Sequence, residues 1–319
     1  MKLLIIERYP YRENFIPEIF FKNKGFDVSF LNTQYLYDNL LFRLVNKFTT
    51  KIFIDYINSI IISNFKGFDA ILFYNIDYVK SSTLKMIKNH NINTKIMCFH
   101  GDDILNKRFG ENEESKVPLI DVHISPRKHL SSVYKKLGAK TFIETDWYYK
   151  ILKTSPSNKI YDLSFCGAIS SKRIQILKDI KIENSIIVGN GWRKNNNPFR
   201  KKIKHLSIEK MNNIISASKI SLNILTIENN DKTNFRNFEI PSQFSLQICE
   251  RTDELERIFK EDKNIVFFDN KDELNDKIQY YLKNDVISNK IISESNKLVS
   301  DSQFTQEYQL EKIYNYLIS

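Results

Sequence analysis

The chain lacks any apolar run near the ~18 residues that a membrane-crossing helix needs. Its first apolar stretch, Met1-Lys-Leu-Leu-Ile-Ile6, stops at Glu7. That start is too short for the core of a secretory signal and suits a first buried strand. Cysteine is scarce: Cys98, Cys166 and Cys249 lie far apart, each in or beside an apolar strand pattern. An odd number without C-x-x-C spacing argues against a disulfide framework or a zinc site, so the expectation is buried, reduced thiols in a cytoplasmic protein. Glycine is also scarce, 8 of 319 residues, and neither the full dinucleotide-binding fingerprint nor the P-loop occurs. No Asp-x-Asp element stands in a plausible donor loop, and no internal repeat or low-complexity tract is visible.

What is present is positive charge and alternation. Lysine and arginine number 48 against 38 aspartates and glutamates, a formal net charge of +10. Such a balance favours anionic partners: nucleotides, anionic membrane surfaces or nucleic acid. No aromatic-basic repeat or nucleic-acid motif accompanies it, so nucleic acid is not expected as a partner.

Short apolar runs alternate with helical patterns. Strands are predicted at 3–6, 28–31, 70–74, 95–99, 122–124 and 141–143, then at 163–165, 186–188, 220–224, 246–249 and 265–268. Helical patterns intervene at about 15–23, 37–65, 81–89, 127–137, 172–179, 207–217 and 272–282, and an amphipathic one closes the chain at 305–317. Continuous apolar strands alternating with helices predict α/β architecture with parallel sheets covered on both faces. The length exceeds one usual core, and the polar stretch Lys153-Thr-Ser-Pro-Ser-Asn-Lys159 marks a break. We therefore expect two Rossmann-like, doubly wound domains facing a cleft, at 1–152 and 160–303. Residues 304–319 form a helix expected to pack back toward the first domain. Ligands of such sheets bind beyond the strand carboxyl ends, and that rule selects the candidates.

The predicted fourth strand ends in Cys98-Phe-His-Gly-Asp-Asp103. His100, Asp102 and Asp103 are candidate catalytic residues there, since imidazole exchanges protons near neutral pH and carboxylates bind sugar hydroxyls or act as bases. The alternative is a polar turn with an aspartate capping the next helix. In the fifth, Asp121-Val-His-Ile-Ser-Pro126, His123 is either functional or a satisfied core histidine, and Ser125 reads as a helix cap before Pro126.

The second half opens with Asp162-Leu-Ser-Phe-Cys-Gly-Ala-Ile-Ser-Ser-Lys-Arg173. A strand, a turn at Gly167, then hydroxyls, Lys172 and Arg173 at a helix start make a candidate anion site; a plain strand–helix turn with solvated cations is the alternative. In Val188-Gly-Asn-Gly-Trp192, Gly189 admits close backbone approach and Trp192 either packs beside a flat ligand or anchors the turn. The six cations from Arg193 to Lys204 read as a solvated loop or as a contact for anionic lipid or an acceptor diphosphate. In Thr233-Asn-Phe-Arg-Asn-Phe-Glu-Ile-Pro-Ser242, Glu239 can accept ribose hydroxyls and Arg236 can meet a diphosphate. A local Arg236–Glu239 ion pair on an exposed helix is the competing reading.

From about Tyr161 to Leu282 the sequence resembles the CgeB-type glycosyltransferases and the wider group 1 glycosyltransferase domain. The matching elements are Tyr161-Asp-Leu-Ser-Phe-Cys-Gly with Lys172-Arg173, Ser218-Lys-Ile-Ser-Leu-Asn223, Arg236-Asn-Phe-Glu-Ile-Pro241 and Asp272-Glu-Leu. Ser242-Gln-Phe-Ser245 stands where that family carries a small, glycine-rich run. The resemblance implies a GT-B fold, a nucleoside-diphosphate sugar as co-substrate, no tightly bound cofactor and no metal. It implies that Glu239 binds donor ribose, that Arg173 and Arg236 face the diphosphate, and that His100 with its neighbouring aspartate touches the transferred sugar. The reading is metal-independent, hexosyl-type transfer to a glycan or lipid-linked acceptor in surface-glycan synthesis, with the positive net charge expected to meet an anionic membrane surface that carries the acceptor. A non-catalytic sugar-nucleotide-binding or scaffold protein is the alternative.

Overall fold

Runs of β-branched and aromatic residues form most of the strands because both faces of each sheet are covered, and the polar residues within strands are buried with partners. The computed structural model describes residues 1–7, 16–33, 50–74, 76, 78–101, 113–149, 153, 155–194, 199, 201–204, 206–227 and 231–319. The chain divides into two compact units, 1–146 with 307–319, and 147–306.

Unit 1 holds β1 (Lys2–Glu7), β2 (Asp27–Asn32), β3 (Ala70–Tyr74), β4 (Lys95–Phe99), β5 (Val122–Ser125) and β6 (Thr141–Glu144). They pair in parallel in the order β2-β1-β3-β4-β5-β6. Helices α1 (Ile16–Asn23), α2 (Thr50–Asn64), α3 (Ser81–His90) and α4 (Ser131–Lys136) connect them. The helical pattern read at 37–65 is seen as α2; its first part, 37–49, lies outside the described residues. One face of the sheet packs Leu4, Ile71 and Phe73 against Phe53, Ile57 and Ile61 of α2. The other packs Leu3, Ile5 and Leu72 with Phe21 and with Leu310, Ile313 and Leu317 of the terminal helix α11 (Gln306–Ile318).

Unit 2 holds β7 (Tyr161–Cys166), β8 (Ser185–Val188), β9 (Lys201–Ile203), β10 (Ser218–Asn223), β11 (Leu246–Glu250) and β12 (Val266–Phe268), parallel in the order β12-β11-β10-β7-β8-β9. Its helices are α5 (Ser171–Leu177), α6 (Ile208–Ser216), α7 (Arg236–Ser242), α8 (Asp253–Ile258), α9 (Lys271–Lys283) and α10 (Asp285–Val299). One sheet face buries Leu163, Phe165, Leu222 and Ile248 under Leu177, Leu274 and Ile278. The opposite face carries a hydroxyl row: Ser164 Oγ is 2.8 Å from Ser221 Oγ, which is 2.8 Å from Ser245 Oγ. Serines sit there unpenalised because each hydroxyl has a partner. Within the cation-rich stretch after Trp192, Phe199 is buried and Lys201–Ile203 form the edge strand β9, while 195–198 and 200 lie outside the described residues.

Among the described residues no helix is long and apolar enough to cross a membrane.

Candidate functional site

The strand order of unit 2 reverses between β7 and β10, and ligands of open parallel sheets bind at the carboxyl ends beside such a reversal. The loops after β7 and β8 are zipped together: Gly167 N donates to Val188 O at 2.8 Å and Ile169 N to Asn190 O at 3.0 Å. Gly189 has a structural cause. A Cβ there would lie 2.0 Å from Gly167 O, and one on Gly191 2.2 Å from Ile169 Cγ2. The close backbone approach expected at Gly189 is therefore to the chain's own Gly167 loop, not to a flat ligand. Trp192 is corrected in the same way. Its ring is wholly buried, stands edge-on to Phe165 and donates from Nε1 to Gly167 O at 2.7 Å. It buttresses the glycine turn and offers no face to a ligand.

Lys172 and Arg173 also depart from the sequence expectation. Arg173 is buried and spends its guanidinium on backbone carbonyls: Nη1 donates to Ala168 O at 2.9 Å, Nη2 and Nε to Ile224 O at 2.7 and 3.2 Å. Carbonyls at two loop ends offer fixed acceptors that a solvated anion does not, so the fork becomes a staple between the loops after β7 and β10. Lys172 Nζ pairs with Glu250 Oε1 at 2.8 Å, and Glu250 Oε2 also accepts from Leu225 N at 2.7 Å. Glu250, at the end of β11, went unnoticed in the sequence because a single terminal carboxylate carries no pattern.

The short helix α7 is buried along its whole length. Phe235 already has helical angles (φ −60°, ψ −24°), so Asn234 is the functional cap. Asn234 Oδ1 accepts from Arg236 N at 3.0 Å, and Asn237 Oδ1 accepts from Asn234 N at 2.8 Å, a reciprocal cap. The Asn234 amide is paired in both directions with that of Asn223 at the end of β10, at 3.0 and 3.2 Å. Asn234-x-x-Asn237 before an apolar turn was the available signal.

Glu239 is fully buried, and its ion pair with Arg236 (Nη1 to Oε2, 2.5 Å) lies in the interior, not on an exposed helix face. Arg236 Nη2 also reaches Met211 Sδ at 3.5 Å, and its guanidinium lies over the Phe235 ring at 4.8 Å. Glu239 Oε1 is buried with no hydrogen-bond partner. An unsatisfied buried acceptor costs roughly 1–3 kcal/mol, more when charged, so this oxygen marks a place for a donor. Cys166 is adjacent. Burial pushes its thiol up to about 11, with Arg236 and Glu239 acting in opposite senses.

In unit 1 the strand order reverses at β1/β3, whereas His100 follows β4. His100 is not presented to solvent: it is 4% exposed. Its Nε2 lies 3.0 Å from His123 Nδ1, and His123 Nε2 lies 3.0 Å from Val117 O. Only one proton order satisfies that chain. His123 donates to Val117 O, so its Nδ1 accepts from His100 Nε2. Tyr134 packs against both rings. Burial lowers the His100 pKa well below its ordinary value, helped by His123, and lowers that of His123 to about 4. Both rings are therefore neutral core members. Ser125 Oγ, expected to cap a helix, instead donates to His100 O at 3.1 Å and accepts from Arg127 N at 3.2 Å. Asp102 and Asp103 lie outside the described residues. Among the described residues, no group of three or more His, Cys, Asp or Glu side chains is placed to hold a metal ion.

The profile of the glycosyl transferase-like family matches residues 172–315, short of half the chain. No curated protein matches at the sequence level. Solved structures match along the whole length. HepE of Anabaena, solved with UDP-glucose, has a TM-score of 0.67 at 12% identity, with 99% of each chain covered. An α-glucosyltransferase in complex with UDP-glucose and DNA containing an abasic site has a TM-score of 0.63 at 12% identity, with both chains fully covered. BGT of phage T4, solved with its UDP-glucose substrate, has a TM-score of 0.63 at 16% identity, covering 99% of this chain and 98% of that one. The chain has the GT-B fold: two parallel α/β units of the kind that glycosyltransferases build. One expectation is overturned. Nucleic acid was set aside for want of a sequence motif, but the same fold is seen holding DNA.

Proposed function

We propose that the protein is a glycosyltransferase that transfers a sugar from a nucleoside-diphosphate donor to a hydroxyl acceptor without a metal ion. The observation that carries this reading is Glu239: a buried carboxylate beside the β7/β10 reversal, with one oxygen held by Arg236 and the other lacking a donor. The 2′ and 3′ hydroxyls of a ribose are donors suited to that oxygen. Glu239 is wholly covered in this structure, so ribose binding requires that it be uncovered. UDP-glucose in HepE and in phage T4 BGT makes uridine the first base to test and a hexose the first sugar. The resemblance of 161–282 to CgeB-type enzymes points the same way. Because Lys172 and Arg173 are engaged within the protein, the diphosphate is met by other groups.

In the transfer, the bond from the anomeric carbon to the diphosphate oxygen breaks and one from the acceptor oxygen forms. The acceptor proton passes to a base, and the nucleoside diphosphate leaves. A surface-glycan intermediate is the acceptor we favour. A hydroxyl on DNA is the second reading, favoured by the net charge of +10 and by the DNA-bound α-glucosyltransferase.

A thermal-shift panel of UDP-, GDP-, CMP- and dTDP-sugars tests the donor. A ligand at 100 times its Kd stabilises by about 2.7 kcal/mol. Stabilisation with donor hydrolysis that persists in EDTA is the expected result. Stabilisation without hydrolysis would leave a binding or scaffold protein, and silence across the panel would end the donor reading. Complete loss in EDTA, restored by Mn²⁺ or Mg²⁺, would reject metal independence. Product analysis with glycan and hydroxymethylated DNA acceptors separates the two acceptor readings.

A further inference from the structure

Arg236 was expected to face a diphosphate, yet every contact it makes points elsewhere. Nη1 holds Glu239 Oε2 at 2.5 Å, Nη2 reaches Met211 Sδ at 3.5 Å, and the plane lies over Phe235. Its backbone N is fixed by Asn234 Oδ1. The side chain is 10% exposed, and that of Glu239 is wholly covered. A guanidinium set between a sulfur and an aromatic ring has little rotational freedom, and it fixes the carboxylate it bonds. Oε2 is taken, so Oε1 is the carboxylate oxygen left without a donor.

We propose that Arg236 is a positioning residue that acts through Glu239: it orients the carboxylate so that Oε1 receives the donor ribose hydroxyls, and it does not bind the diphosphate. This rests on the donor reading of Glu239. It explains why an arginine stands here, since a lysine presents one point charge and cannot bridge carboxylate, sulfur and ring together. It also explains the i, i+3 spacing, which sets both side chains on one face of α7.

The test reads the ribose increment, the ratio of Kd for 2′,3′-dideoxy-UDP to Kd for UDP. Titration calorimetry is run on the full-length chain and on the variants Arg236→Lys and Glu239→Gln. The wild-type ratio is expected at about tenfold or more, worth about 1.4 kcal/mol. In Glu239→Gln it should collapse toward unity. Arg236→Lys should lower it at least threefold, whatever happens to UDP affinity overall. A diphosphate contact, or a general loosening of the fold, weakens both ligands alike and leaves the ratio at its wild-type value; that result overturns the proposal while the Glu239 reading survives. A wild-type ratio near unity, or one unchanged in Glu239→Gln, overturns both. Because Arg236→Lys risks misfolding, a crystal structure of the wild-type chain with UDP gives a second answer. Arg236 should remain on Glu239 Oε2 with the ribose on Oε1. A guanidinium swung onto the diphosphate would refute the assignment.

Discussion

A buried ionisable residue shows its role by how its atoms are satisfied. His100 and Glu239 are both covered, but the imidazole chain through His123 to Val117 O accounts for its ring protons, while Glu239 keeps an oxygen without a donor. The first is a finished structural element and the second an unfinished one. The histidine pair has a pH consequence. Folded pKa values below the ordinary 6.5 mean that the neutral rings stabilise the fold fully above pH 6.5. That contribution is lost as pH falls from 6.5 toward the folded values, about 4 for His123. Over that window His123 alone accounts for roughly 3 kcal/mol. Chemical denaturation between pH 7.5 and 4.5 should show this loss, and His123→Gln should make it shallower by the His123 share, with His100 still contributing. An equally steep loss in the variant would assign the acid sensitivity to other groups. From sequence, His100-Gly-Asp-Asp103 at a strand end looked like exposed chemistry, because nothing local reveals that a histidine on the neighbouring strand will accept its proton.

At the scale of elements, legibility follows burial. Central strands such as β1, β3, β4 and β11 read directly, since runs like Leu3–Ile6 are apolar on both faces. Strand β9 was missed because it is a short edge strand that begins with two charged residues, Lys201 and Lys202, and charge on an edge is what keeps it from pairing with another sheet. Helix α10 was missed because its inward face uses Ser288 and Ser295 among the isoleucines. Helix α7 was read as a short helical start, but its value to the site lies in the Asn223–Asn234–Asn237 network that fixes its angle. Asn234→Ala removes a cap worth about 1 kcal/mol and leaves the buried Asn223 amide and Arg236 N without a partner, at roughly 1–3 kcal/mol more. A drop of about 2 kcal/mol or more in unfolding free energy is expected, with Asn234→Asp, which keeps the acceptor for Arg236 N, losing less. Equal losses in the two variants would show that the cap contributes nothing at this turn.

For the whole molecule, the connectivity is a stronger statement than either sheet alone. Unit 1 is discontinuous: residues 1–146 are completed by 307–319, and unit 2 occupies the stretch between. The three core side chains of α11, Leu310, Ile313 and Leu317, are buried with Leu3, Ile5 and Phe21. Burial of one such residue stabilises by about 1.5–3 kcal/mol, so the helix matters on the scale of a domain's entire net stability of 5–15 kcal/mol. The core clusters of unit 2, by contrast, draw on no residue beyond Phe304. A chain ended after Thr305 should therefore lose stability selectively. Calorimetry should show a unit 1 transition shifted down by many degrees or abolished, while UDP still raises the transition of unit 2. A truncated chain that melts as the full-length protein does would mean that α11 is a passive cover. One that loses UDP stabilisation together with unit 1 would mean that nucleotide binding does not reside in unit 2 alone, and Glu239 would then need partners from outside its own sheet.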